Sequence, residues 1–98
     1  MSNEQPDAQF WKLVDSFVKS ANDMGETAPA AKVSVAMLYA ASRFSAFIAA
    51  QSAQSLADLA SHHDEAVEYL VKQFANMLRE NLTNYEANFD KYLPGKDF

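Results

Sequence analysis

The stretch SLADLASHHDEAVEYLVKQFANMLRENLTNYEANFDKYL, residues 55 to 93, decides how this chain folds. At about 100° per residue, Leu56, Leu59, Ala60, Val67, Leu70, Val71, Phe74, Met77, Leu78, Tyr85, Phe89 and Tyr92 fall in one stripe. Asp58, Glu65, Glu68, Lys72, Arg79, Glu86 and Asp90 fall on the other side. Ser55 suits the N-cap, and Asp58 suits the first turn, where a carboxylate meets the positive end of the helix dipole. The register passes through the pair His62-His63 without a slip. The pattern therefore predicts one helix over about 55–93, stopped by Pro94-Gly95.

Such a helix is on the order of 55 Å long at 1.5 Å per residue. A compact domain of about 100 residues has a radius of gyration of only about 13 Å. A stripe that outruns its own core leaves apolar surface to cover, and this predicts a homodimer. The alternative breaks the helix near Ser61, which would cap a second start at His62 and give a compact four-helix monomer.

Outward from this segment, QSAQS at 51–55 reads as a short connection. The preceding helix is expected over about 29–51. Val33, Met37, Phe44 and Ile48 form its bulkiest face, but Val35, Ser42, Ala46 and Ala49 on the far side are not charged either. A helix without a solvated face is central or covered by a partner. The first helix is expected over about 6–24, with Pro6 in its first turn and Gly25 in a left-handed C-terminal position. Its apolar stripe is Phe10, Leu13, Val14, Phe17, Ala21 and Met24, opposite Lys12, Asp15, Ser16, Lys19 and Asp23. The expected architecture is all-α, a single domain over 1–98. It is a three-helix up-down bundle with a long third helix, and termini 1–5 and 94–98 are expected to be flexible.

Composition agrees with a helical domain. The 98 residues are 49% apolar and 21% charged, with two glycines and three prolines. A net charge of -5, with eight scattered Lys and Arg, lacks the basic stripe that phosphate backbones require, so no nucleic-acid partner is expected. The absence of cysteine removes disulfides and thiolate metal sites. MSNEQPDAQ has neither a basic nor an apolar targeting segment, which makes the cytoplasm the expected location. Residues 33–50 hold fourteen apolar residues out of eighteen, yet Arg43 near the centre of a membrane span costs about 2.5 to 3.5 kcal/mol. No membrane association is expected.

Arg43 is the candidate site's central residue, with Tyr39 and Phe47 beside it and alanines at 36, 40 and 50. Its methylene stem can lie over the alanines while the head meets a carboxylate, for which Asp64 is the preferred internal partner. The sharper reading is a planar fork holding a small anionic ligand, closed by the aromatics. Asn81 and Asn88 fall in the apolar stripe, where an amide must find partners. They either fix the register of a helix interface or line a small polar cavity that extends the ligand site.

Other chemistry finds little support. His62 and His63 beside Asp58, Asp64 and Glu65 invite a metal, but adjacent residues on a helix diverge, and no Glu-x-x-His pair exists. No metal and no cofactor is expected. There is no G-x-S-x-G elbow, glycine-rich phosphate loop or cysteine nucleophile, so the chain is expected not to be an enzyme.

The pattern YAASRF-x-AF at 39–47, EY at 68–69, ML at 77–78 and NL-x2-Y-x2-NFD-x-Y from Asn81 to Tyr92 resembles a family of short proteobacterial proteins known only as a domain of unknown function. Phe10-Trp11, Ala21-Asn22 and Val33-Ser34 fit as well, so the resemblance covers about 8–93. It implies a small helical protein with no assigned activity, cofactor or partner. The sequence thus points to a non-enzymatic protein-interaction or regulatory module acting as a homodimer. The alternative is a binder of a small anionic ligand at Arg43.

Overall fold

The computed structural model describes residues 6–92, and the termini expected to be flexible lie outside them. The chain is all-α, with no strand among the described residues. Its helices are α1 (Ala8–Met24), α2 (Ala30–Ser52), α3 (Leu56–Ser61), α4 (His63–Ala87) and α5 (Phe89–Tyr92). It divides into two units, Met1–Ile48 and Ala49–Phe98.

In the first unit, α1 begins two residues later than Pro6 suggests. Asp7 is the N-cap, its Oδ1 accepting from Phe10 N–H at 2.9 Å, because a short carboxylate satisfies an orphan donor that proline cannot reach. Gly25 ends the helix, but not in the left-handed conformation. Its φ of -65° and ψ of -13° are right-handed, and the chain leaves the helix through a tight turn. Glu26 N–H donates to the Asp23 carbonyl at 3.2 Å, and the N–H groups of Thr27 and Ala28 both donate to the Met24 carbonyl at 3.1 Å. These bonds consume carbonyls that a left-handed cap would otherwise satisfy.

In the second unit, Ser55 caps α3 as expected, its Oγ accepting from Asp58 N–H at 3.0 Å. Asp58 returns the favour one residue outside the usual box, its Oδ2 accepting from Gln54 N–H at 3.0 Å. The unbroken helix over 55–93 is not what forms. The chain interrupts it at His62 (φ -106°, ψ 10°) and again at Asn88 (φ -124°, ψ 30°). The first interruption falls next to Ser61, where the alternative reading put it. Ser61 does not cap the second start, however. It is the last residue of α3, and His62 stands at the N-cap of α4 with no side-chain cap bond.

The cause is competition for one carbonyl. In a continuous helix the Asp58 oxygen would receive His62 N–H. Here it accepts from Ser61 Oγ at 2.8 Å and from the His62 imidazole Nδ1 at 2.9 Å, while His62 N–H moves to Leu59 O at 3.2 Å. Side chains that bond locally to backbone offer the chain a way out of the helix. At Asn88 the side-chain Nδ2 donates to Asn84 O at 2.9 Å, beside the backbone bond to the same oxygen at 3.1 Å. The Tyr85 and Tyr92 rings, on either side of that interruption, stand 4.9 Å apart.

Burial is sparse in both units. Among the described residues Val33 alone is buried, at 9% exposure, just after the α1–α2 turn. The α1 stripe keeps its one-sided pattern but not its cover, with Phe17 at 67% exposure. Tyr39 and Phe44 of α2 are similarly open, at 68% and 65%, and Val67, Val71, Phe74 and Met77 of α4 are exposed too.

Candidate functional site

Three of the five residues expected to gather do so on one helix. Tyr39, Arg43 and Phe47 follow each other at one-turn spacing along α2, and with Ala40 and Phe44 they line a shallow groove open to solvent. Phe44 is the member the sequence reading assigned elsewhere, to the bulky face with Val33 and Ile48. Its ring lies 6.3 Å from that of Phe47, tilted by 33°, an i, i+3 contact that the spacing alone signals. Ser42 Oγ donates to the Tyr39 carbonyl at 2.7 Å, so its proton is used within the helix.

The ion pairs among the described residues are Lys19–Asp23 and His62–Asp58, each at 3.3 Å, and Arg43 is in neither. Its guanidinium stands at an exposed position of a helix whose only other charge is Lys32. Alanine at 40 leaves room for an incoming group beside the arginine head. A planar donor fork flanked by three aromatic rings is suited to one carboxylate or phosphate, or to an apolar surface with an acidic edge.

Asn81 and Asn88 belong to the second unit, and each spends its amide on its own helix. Asn81 Nδ2 donates to Met77 O at 2.9 Å, and Asn88 Nδ2 donates to Asn84 O at 2.9 Å. Asn81 is exposed and Asn88 partly buried.

The α3–α4 junction carries the second polar cluster. His62 Nδ1 lies 2.9 Å from Asp58 O, 3.3 Å from Asp58 Oδ1 and 3.1 Å from Ser61 Oγ. Donation to the Asp58 carbonyl, followed by the attraction of the Asp58 carboxylate, raises the imidazole pKa above its usual 6.5; Glu65 adds a smaller push upward. No three His, Asp or Glu side chains among the described residues converge as metal ligands. His62 is committed to Asp58, and neighbouring His63 leaves α4 in a different direction.

α2 also meets the length and composition of a membrane-crossing helix, with 23 residues and a mean hydropathy of 1.5. Arg43 lies near its middle, where the cost of insertion is greatest. Core helices of soluble proteins have the same composition, so the feature marks a helix that needs cover rather than the kind of cover.

Comparison with known proteins gives the class. A family described as "Protein of unknown function (DUF3144)" matches residues 10–86, well over half of the chain. The chain belongs to that family. No curated protein and no solved structure matches it.

Proposed function

We propose that this chain is a non-enzymatic helical interaction module that works as a homodimer in the cytoplasm. One observation carries the reading: most large apolar side chains of α1, α2 and α4 are exposed, and among the described residues Val33 alone is buried. A chain of this size gains its stability from apolar burial. Exposed stripes on three helices are surface that an association would remove from water, at about 25 cal/mol per Å². Extended apolar helix faces with a polar rim bind other proteins; chemistry on small substrates wants concave pockets with converging polar groups. The permanent charge of Arg43 favours an aqueous compartment for α2.

The test is the concentration dependence of thermal unfolding. A dimer that unfolds to separate chains has a midpoint that rises with protein concentration by mass action. The reading expects a rise of several degrees over a hundredfold range of concentration, and a constant midpoint contradicts it.

Arg43, standing outside both ion pairs and flanked by Tyr39 and Phe47, supports a second reading, the binding of a small anionic ligand. Under that reading a phosphorylated or carboxylated metabolite raises the unfolding midpoint of the native chain and leaves an Arg43→Met variant unmoved.

A further inference from the structure

We infer that the Arg43 face of α2 is the seat for the acidic α4 helix of a second copy of this chain, with Arg43 pairing to the partner subunit's Asp64. The inference rests on the dimer proposed above and names its surfaces. Charge complementarity selects the occupant. α2 carries Lys32 and Arg43 and no acidic residue over its 23 positions, whereas α4 carries five acidic residues against two basic ones over 25. Two copies of α2 face to face would set arginine near arginine, and like charges at close range are repulsive.

The shapes match as well. Arg43 lies past the middle of α2 and Asp64 in the first turn of α4, so their pairing lays about 20 Å of the two helices together at 1.5 Å per residue. Each presents apolar side chains at helical spacing: Tyr39, Phe44 and Phe47 on α2, and Val67, Val71 and Phe74 on α4, all exposed. Asp64 stands at the flank of the α4 face, at the rim of the contact, while Arg43 stands between Tyr39 and Phe47 within the α2 face. Rim charges fix orientation and register while the apolar centre supplies affinity. A two-fold axis forms the α2 to α4 contact twice, because each copy offers both the seat and the helix.

The two-fold arrangement makes the pairing testable by mixing. Arg43→Glu places acid against acid at both seats of its homodimer, and Asp64→Arg places base against base. Mixed, the two variants restore an opposite-charge pair at both seats. In sedimentation equilibrium each variant alone, with its helical circular dichroism intact, is expected to dissociate at least tenfold more readily than the native chain. The equimolar mixture is expected to return to within about threefold of native association, since exposed pairs have modest energies and two act together.

A native chain that stays monomeric overturns the dimer and this seat with it. A native dimer left unchanged by Arg43→Glu, or variants that mixing does not rescue, overturns the seat while the dimer stands. Sedimentation of the native chain with lipid vesicles, in place of self-association, assigns the face to a membrane and also overturns the seat. Should charge reversal unfold the chain, the absence of native cysteine permits a second route. A short bis-maleimide is expected to join Arg43→Cys to Asp64→Cys across differently tagged copies. Absence of that cross-link, with each thiol shown to be reactive, overturns the seat.

Discussion

α2 and the α3–α4 junction are held by opposite kinds of physics. At the junction, every step of the backbone has a short-range cause: Ser55 caps, Asp58 bonds back to Gln54, and Ser61 and His62 take the Asp58 carbonyl from the helix. Each of these bonds joins residues no more than four apart. α2 is an unbroken helix, but large side chains along it, Tyr39, Phe44 and Phe47 among them, are exposed. Local hydrogen bonds can therefore specify a conformation that the chain completes alone, while an apolar helix specifies a demand that other surface must meet.

The largest expected effect breaks the α2 side of this contrast. Phe44→Asp places a charge in the middle of the exposed aromatic face. If that face is covered by another copy, the substitution removes association and lowers stability by about 3 kcal/mol or more, on the scale of losing a buried phenylalanine. Denaturant unfolding at fixed protein concentration measures it. A loss below about 0.5 kcal/mol, the usual effect of a surface change, shows instead that the face stays in water.

The junction side predicts a smaller and local loss. Ser55→Ala removes the α3 cap and is expected to cost about 1 kcal/mol. Amide exchange should rise at Asp58 and its neighbours in α3 and stay unchanged in α1. Uniform loss of protection along the chain breaks the claim that the junction is self-contained.

The smallest effect is in pH. Because His62 titrates higher in the folded chain than in the unfolded one, its protonated form stabilises the fold. That contribution is fully present below the ordinary imidazole value near 6.5, and it fades as pH rises through the higher folded value. The native chain is thus expected to lose a little stability between mildly acidic and mildly alkaline solution, and His62→Gln to flatten that part of the profile. An NMR titration in which the His62 ring titrates below 6.5 contradicts the geometry at Asp58.

The same contrast explains what could be read from the sequence. The all-α class followed from periodicity and from the scarcity of Gly and Pro, and the Ser55 cap from its position ahead of an apolar run. Periodicity favours the unbroken helix over the break near Ser61 and gives no sign of the one at Asn88, because a stripe of apolar residues stays in register across a single non-helical residue. Their cause was visible in residue type: Ser61, His62 and Asn88 all carry short side chains able to reach a carbonyl one turn back. The identity of Gly25 suggests a left-handed cap, whereas the carbonyl bonds of the following turn leave no need for one. At the site, one-turn spacing placed Tyr39, Arg43 and Phe47 together, but Phe44 was assigned to another face by angle. The amides of Asn81 and Asn88 follow from local bonding, which a helical wheel does not display.

What the unmet demand of α2 means is decided by the mass of the native chain in solution. Size-exclusion chromatography with light scattering, run from micromolar to near-millimolar protein, should give about twice the 10.9 kDa of one chain across the upper part of that range. A mass of 10.9 kDa at every concentration, with helicity and a cooperative unfolding transition intact, would contradict the account.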